Sequence, residues 1–307
     1  MNSSIVRGMS NHDYHAMKDC FSSTQIKTML DDAELFYRKY ITKEEPKEDS
    51  PALNIGTYFH TAILEPEKLE EEVKIAPVAV RRGKAWDAFY AENEGSCIIT
   101  QTDKENGDVI INAVKKSRIA MELINVGEKE VSAFVTLHVF SGDIYSEGKT
   151  LTAFGFKPCD SALYAKAVKD GLTLKVRVRA DCINFNQGYI LDLKSTTGNA
   201  KDERLMRKRV SDYTYDLSAA FYLDMFSLAT GETYKDFYWT FGSKDYANSR
   251  TYLASEDNIK IGRAKWKKAV LSLAFYVKNN WKFDDELGML EPNFFEREWL
   301  KQDEGVL

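Results

Sequence analysis

The chain has 307 residues, 44% hydrophobic and 29% charged, with a net charge of −5 at neutral pH. Those values fit an ordinary globular protein of one large or two smaller domains. With 17 glycines and 6 prolines they exclude a collagen-like or proline-rich disordered chain. The N-terminus, Met1-Asn-Ser-Ser-Ile-Val-Arg7, has no apolar signal region, and the longest strongly apolar run, near 269–277, is too short to span a bilayer. A cytoplasmic, non-membrane protein is expected. Cysteines 20, 97, 159 and 182 form no C-x-x-C pair, so four free structural thiols are expected rather than a zinc or iron–sulfur site. A negative net charge argues against a nucleic-acid coat protein, but a local basic groove still suffices for a DNA enzyme.

In chain order, residues 22–41 read as one amphipathic helix capped by Ser22 or Ser23, with an apolar stripe of Ile26, Met29, Leu30, Ala33 and Phe36. The charged stretch 43–50 reads as a loop. A second helix is predicted from about Ile55 to Leu64, and further helices over 85–93 and 102–124. Residues 130–140 are rich in β-branched and aromatic side chains and predict a strand. The glycine-bearing stretch 141–171 reads as irregular, an insertion or mobile loop. Leu174–Phe185 and Tyr189–Ser195 read as two strands of a hairpin turning at Asn186-Gln-Gly188. Helices over 202–211, 214–229 and 259–281, with a strand over 236–241, complete the pattern. It predicts an α/β or α+β fold, a central sheet covered by helices. No repeat or linker divides it, so 1–307 reads as one unit. About 1–125 is mainly helical, about 126–285 forms the core and 286–307 a peripheral tail.

The chemistry concentrates in Ile190-Leu-Asp-Leu-Lys-Ser195. A strand alternates its faces, so Asp192 and Lys194 share one side while Leu191 and Leu193 share the buried other. In Lys175-Val-Arg-Val-Arg-Ala-Asp181 the same arithmetic groups Arg177, Arg179 and Asp181, and the hairpin brings Asp181 near Asp192. Two adjacent carboxylates repel unless a cation lies between them. Mg²⁺ prefers oxygen ligands and eases deprotonation of water. A neighbouring lysine then orients that water or stabilises charge growing on a phosphate. An exposed strand ion pair is the bland alternative.

Asp181 followed by Asp192-Leu-Lys194 resembles the PD-(D/E)XK nuclease superfamily, and the wider chain looks like its RecE-type branch, the exonuclease VIII catalytic domain. Gly56-Thr-Tyr-Phe-His-Thr-Ala-Ile-Leu-Glu-Pro66 resembles that branch's helix with an active-site histidine, here His60. Arg82-Gly-Lys-Ala-Trp86, Glu130-Val-Ser, Tyr215-Asp-Leu-Ser-Ala-Ala-Phe-Tyr222, and Tyr14-His15 with Ser22-Ser-Thr-Gln-Ile resemble further segments. The resemblance implies a PD-(D/E)XK restriction-endonuclease-like core with an N-terminal helical extension. It implies an Mg²⁺ site, open to Mn²⁺, held by His60, Asp181, Asp192 and the Leu193 carbonyl. Lys194 would assist the attacking water, Glu130 would touch DNA or a water, and Tyr222 would approach the phosphate. Ser218 stands where the family usually has glutamine, which puts that helix's DNA contact in doubt.

The resemblance further implies an ATP-independent exonuclease on linear duplex ends, cutting 5′ to 3′ and leaving 3′ single strands for an annealing protein. A phage or prophage context and a homo-oligomeric ring, a tetramer, go with it. An endonuclease and a decayed DNA-binding module are the alternatives. Arg81, Arg82 and Lys84 beside Trp86 either grip DNA or form a solvated turn, and Arg177 and Arg179 either reach phosphate or form sheet ion pairs. His12, His15 and His138 read as surface or packing residues. Gly148-Lys-Thr150 lacks the first glycine of a phosphate loop, residue 143 being Asp, so no nucleotide cofactor is expected.

Overall fold

A computed structural model of the chain describes residues 3–45 and 50–283; the expected tail 286–307 lies outside them. The chain opens with β1 (Ser4–Val6), α1 (Asn11–Ala16) and β2 (Phe21–Ser22). The expected single helix over 22–41 is broken into α2 (Ser23–Asp31), α3 (Ala33–Phe36) and a π-helical turn over Tyr37–Thr42. Asp32 breaks it: it adopts extended backbone (φ −154°), and its carboxylate caps the new helix by accepting from Leu35 N–H at 2.8 Å. Ser22 is the cap of α2, in a reciprocal box with Gln25.

α4 (Pro51–Leu64) starts four residues before its expected beginning, because Ser50 caps it and Pro51 suits its first turn. α5 (Leu69–Glu72), β3 (Val73–Ala76), α6 (Lys84–Glu92) and β4 (Cys97–Thr100) follow. β3 and β4 pair in parallel as a small separate sheet. The expected helix over 102–124 is two, α7 (Gln101–Lys115) and α8 (Arg118–Val126), since Ser117 recaps the chain by accepting from Ala120 N–H.

After β5 (Glu128–Phe140), the stretch expected to be irregular is ordered. It forms β6 (Asp143–Ser146), β7 (Lys149–Thr152), β8 (Gly155–Pro158) and α9 (Ser161–Asp170). Its glycines serve the turns of an antiparallel meander that prolongs the sheet. Gly148-Lys-Thr150 is one of those hairpins, not a strand-to-helix phosphate loop. β9 (Leu172–Asn184), β10 (Tyr189–Thr196), α10 (Glu203–Asp212), α11 (Tyr215–Thr230), β11 (Asp236–Ser243), β12 (Asn248–Leu253) and α12 (Glu256–Lys278) complete the chain. The β12 partner of β11 had no counterpart in the sequence reading.

The main sheet runs β12-β11-β10-β9-β5-β6-β7-β8, with β1 added to β5 and β2 to β9. β10 and β11 are parallel, and the neighbouring β9–β10 and β5–β9 pairs antiparallel, so the sheet is mixed. One core cluster joins Val131, Val135, Val176 and Val178 of the sheet to Phe221, Phe226 and Trp266 of α11 and α12. A second joins Leu191 and Leu193 to Phe59 of α4, Ile110 and Val114 of α7 and Ile124 of α8. The fold is therefore the expected mixed sheet flanked by helices. All four cysteines are free thiols. Among the described residues no helix is long and apolar enough to cross a membrane.

α11 and α12 are clamped by two ion pairs with buried carboxylates. Arg263 grips Asp224 twice at 2.8 Å, and Lys265 meets Asp216 at 2.6 Å. Gly262 permits the approach: a Cβ there would lie 1.9 Å from the Asp216 carbonyl oxygen, a backbone atom that cannot move alone. Gly262→Ala should destabilise the fold by about 3 kcal/mol, the upper range for overpacking. Urea unfolding should show a lower midpoint at unchanged slope; an unchanged midpoint would disprove the close approach.

Candidate active site

The cleft at β10 comes from a local failure of strand pairing. β10 is an interior strand, but its ladder with β9 ends at Leu191↔Cys182. Beyond that point the Leu193 N–H donates to the Asp181 carboxylate at 2.6 Å instead of to a backbone carbonyl. Asp181 thus bridges the opening between the strands. Leu191 and Leu193 are fully buried, as alternation required, while Asp192 is nearly buried and Lys194 partly open.

On the other flank of β9, β5 brings Glu130 opposite Asp181, between the pairs Lys129↔Cys182 and Val131↔Ala180. Glu130 has φ +51°, the left-handed region, which is costly for a residue with a Cβ. The side-chain phase of β9 also changes here. Val176, Val178 and Ala180 belong to the main core, but Cys182 joins the second cluster and Ile183 the main one. Plain alternation from the sequence does not foresee this slip.

α4 supplies the third group. His60 Nε2 meets the Leu193 carbonyl oxygen at 2.9 Å, and Nδ1 lies 3.4 Å from Asp181 Oδ2. Ligand atoms of His60, Glu130 and Asp181 all lie within 4.8 Å of one another. Asp192 is not in that trio; its Oδ2 contacts Lys194 Nζ at 2.6 Å as an ion pair, without a well-aligned hydrogen bond. The expected set of His60, Asp181, Asp192 and the Leu193 carbonyl is therefore only partly gathered. Glu130, expected to touch DNA or a water, stands in the trio instead.

Burial and mutual charge shift the titratable groups here; burial would lower His60, but Asp181 raises it above an ordinary imidazole. Burial, and then the Asp181 charge, push the Glu130 carboxyl up to about 8. Burial also raises Asp192 above the usual carboxylate range despite Lys194. Burial would raise Asp181 too, but His60, Lys194 and the Leu193 N–H hold it below that range. Burial would lower Lys194, yet Asp192 and Asp181 lift it well above an ordinary lysine. A second lysine, Lys27 of α2, is pushed down to about 8 by burial and then by Lys194. A mixed imidazole–carboxylate donor set with a neutral carboxyl suits a divalent cation, whose binding would displace that proton.

These groups open into a cavity of about 450 Å³, walled by α4 along Gly56 and His60 and by Glu130, Asp181, Lys194, Tyr215 and Tyr222. His15, expected as a surface or packing residue, is exposed and also lines it, whereas Ser218 does not. Arg177 and Arg179 are buried, and their hydrogen bonds go mainly to backbone carbonyls and neutral side chains; Arg179 also lines the cavity. Arg177 donates to the Tyr14 and Met17 carbonyls; Arg179 donates to Met9 and Ser10 carbonyls, Asn11 and Ser132. Both guanidiniums also lie over the Tyr14 ring, at 4.7 and 4.2 Å from its centre. They fasten the N-terminal segment over the site, and Arg179 stands 3.9 Å from Glu130. Arg81 is paired with Asp103 at 3.2 Å beside Trp86; Arg82 and Lys84 are exposed and outside the cavity.

No curated protein matches the chain. Among solved structures, the crystal structure of a "Putative exonuclease" from Eubacterium rectale aligns with a TM-score of 0.57 at 14% identity, covering 94% of this chain and 97% of that one. At that identity the likeness concerns the fold alone. The crystal structure of SSO0001 aligns at 13% identity over 79% of this chain and 83% of that one, with a TM-score of 0.28, and carries no argument. Residues 22–141 and 162–283 match the family described as a "PDDEXK-like domain of unknown function (DUF3799)". That match takes in the His60 helix, both carboxylate strands and α11, well over half of the sequence, so the chain belongs to the PDDEXK-like family.

Proposed function

We propose that the protein is a metal-dependent deoxyribonuclease. One observation carries this reading: the donor trio of His60, Glu130 and Asp181 lines one cavity with Lys194, whose ammonium is paired to Asp192 on the same strand. His60, Glu130 and Asp181 would hold the cation, with Asp192 and the Leu193 carbonyl at the adjoining strand positions. Magnesium is the natural occupant for carboxylates, and the imidazole makes manganese a ready substitute. When bound, the cation eases deprotonation of water and draws charge from the scissile phosphate.

The chain's own residues divide the remaining work. Asp192 and the Tyr215 ring, whose centre lies 5.3 Å from Lys194 Nζ, hold the lysine beside the trio. There its ammonium orients the attacking water or stabilises charge developing on phosphate. Tyr222 faces the same cavity with a phenol kept protonated by burial, suited to donating to a phosphate oxygen. By the RecE-type resemblance the substrate is a linear duplex end, cut 5′ to 3′ without ATP to leave a 3′ strand for an annealing protein. A ring-shaped homo-oligomer in a phage or prophage setting belongs to the same proposal.

Three outcomes are expected. Purified protein should degrade 5′-labelled linear duplex with Mg²⁺ or Mn²⁺ and stop on chelation, and Lys194→Ala should bind ends normally but cut about 10³-fold more slowly. Undiminished cutting by that variant would remove Lys194 from the mechanism. Closed circular duplex should survive under the same conditions; its cleavage would establish an endonuclease instead. Gly56 lies in α4 with nothing within 4 Å of an added Cβ, yet it lines the cavity. Gly56→Ala should therefore raise stability by about 0.5–1 kcal/mol while lowering cleavage, and unchanged cleavage would show that substrate does not use this wall.

A further inference from the structure

Beside the catalytic lysine, the turn between α10 and α11 carries two tyrosines that the mechanism does not use as acids or bases. Tyr213 and Tyr215 stack with ring centres 5.4 Å apart and planes 24° from parallel. On a helix, residues two apart do not face one another. Thr214 between them makes it possible by adopting φ +52°, an unusual conformation for a β-branched residue. Tyr215 lines the cavity, whereas Tyr213 is 52% exposed, so the pair leads from the cavity to solvent.

Cations surround this pair. Lys194 and Lys27 Nζ lie 5.3 and 5.0 Å from the Tyr215 ring centre, and Lys27 donates to the Tyr213 carbonyl at 3.0 Å. Arg209 sits 6.0 Å over the Tyr213 ring and donates to Thr197 Oγ1 at 2.8 Å, which ties α10 to the end of the catalytic strand. An exposed tyrosine with a guanidinium beside it, stacked on a second ring that two ammoniums flank, complements a ligand with flat bases and a phosphate backbone. Neither a neutral peptide nor a simple anion uses both features.

We propose that Tyr213, backed by Tyr215 and flanked by Arg209 and Lys27, is the platform on which a base of a single nucleic-acid strand stacks at the mouth of the cavity. The inference rests on the nuclease reading for the path of the strand, but its test does not require cleavage. Binding of a fluorescein-labelled single-stranded oligonucleotide is followed by anisotropy in the presence of chelator. Tyr213→Ala, at an exposed position, should weaken binding about tenfold, and Tyr213→Phe, which keeps the ring, less than about twofold. With an oligonucleotide made of abasic nucleotides, wild type and Tyr213→Ala should bind alike. Arg209→Gln should flatten the dependence of log K on log salt by about 0.7, one phosphate contact on a single strand. Equal binding of the normal oligonucleotide by Tyr213→Ala and wild type, or a loss that persists with the abasic one, would overturn the platform. So would displacement of the oligonucleotide by polyglutamate at equal charge concentration. Wild type that binds with this Tyr213 dependence but cuts no duplex would uphold the platform and sink the nuclease reading instead.

Discussion

The hydrogen bond from the Leu193 N–H to the Asp181 carboxylate is the interaction on which the site depends. A backbone donor inside a sheet must find an acceptor, because leaving it buried and unpaired costs as much as a lost hydrogen bond. Where β9 and β10 part after Leu191↔Cys182, the side chain of Asp181 takes over from the missing carbonyl. That substitution lets the sheet open without an orphaned donor. It also fixes the carboxylate at the opening, within reach of His60 and opposite Glu130.

The opening gathers carboxylates that are largely buried, and the surroundings bear the consequence. Glu130 rises to about 8, burial and Asp181 together making its ionisation unfavourable. Asp192 stays close to Lys194, and both are perturbed as a pair. The left-handed backbone at Glu130 belongs to the same place: its side chain stands at the gap while Val131 continues into the core. A divalent cation would resolve the repulsion that this backbone arrangement creates.

The flanking layers hold the opening in position. Arg177 and Arg179 extend β9 outward and grip the carbonyls of the N-terminal segment, so that α1 forms one wall of the cavity. On the main core side, the Asp224–Arg263 and Asp216–Lys265 pairs lock α12 against α11. α11 begins at Tyr215, beside Lys194, and carries Tyr222 one face further along. Buried ion pairs of this kind contribute little net stability, but breaking one would leave a charge stranded and loosen the helix that carries both tyrosines.

By itself the sequence determined the strand alternation that buries Leu191 and Leu193 and turns Asp192 and Lys194 to one side. It also determined the hairpin with Asp181, and through a family resemblance the histidine of α4. Those features depend on local periodicity and on a motif that survives in order along the chain. It misjudged 141–171, because short strands at a sheet edge take their order from pairing with β5 rather than from their own composition. It left Arg177 and Arg179 between phosphate contact and sheet ion pairs, because nothing local reveals that residues 9–17 return to cover them. Only the tertiary structure decided that Asp181, not Asp192, stands with His60 and Glu130 at the centre. The reason is physical: where a ladder ends, and which side chain completes it, depends on how two strands diverge, and that divergence is set by the layers packed on either face of the sheet.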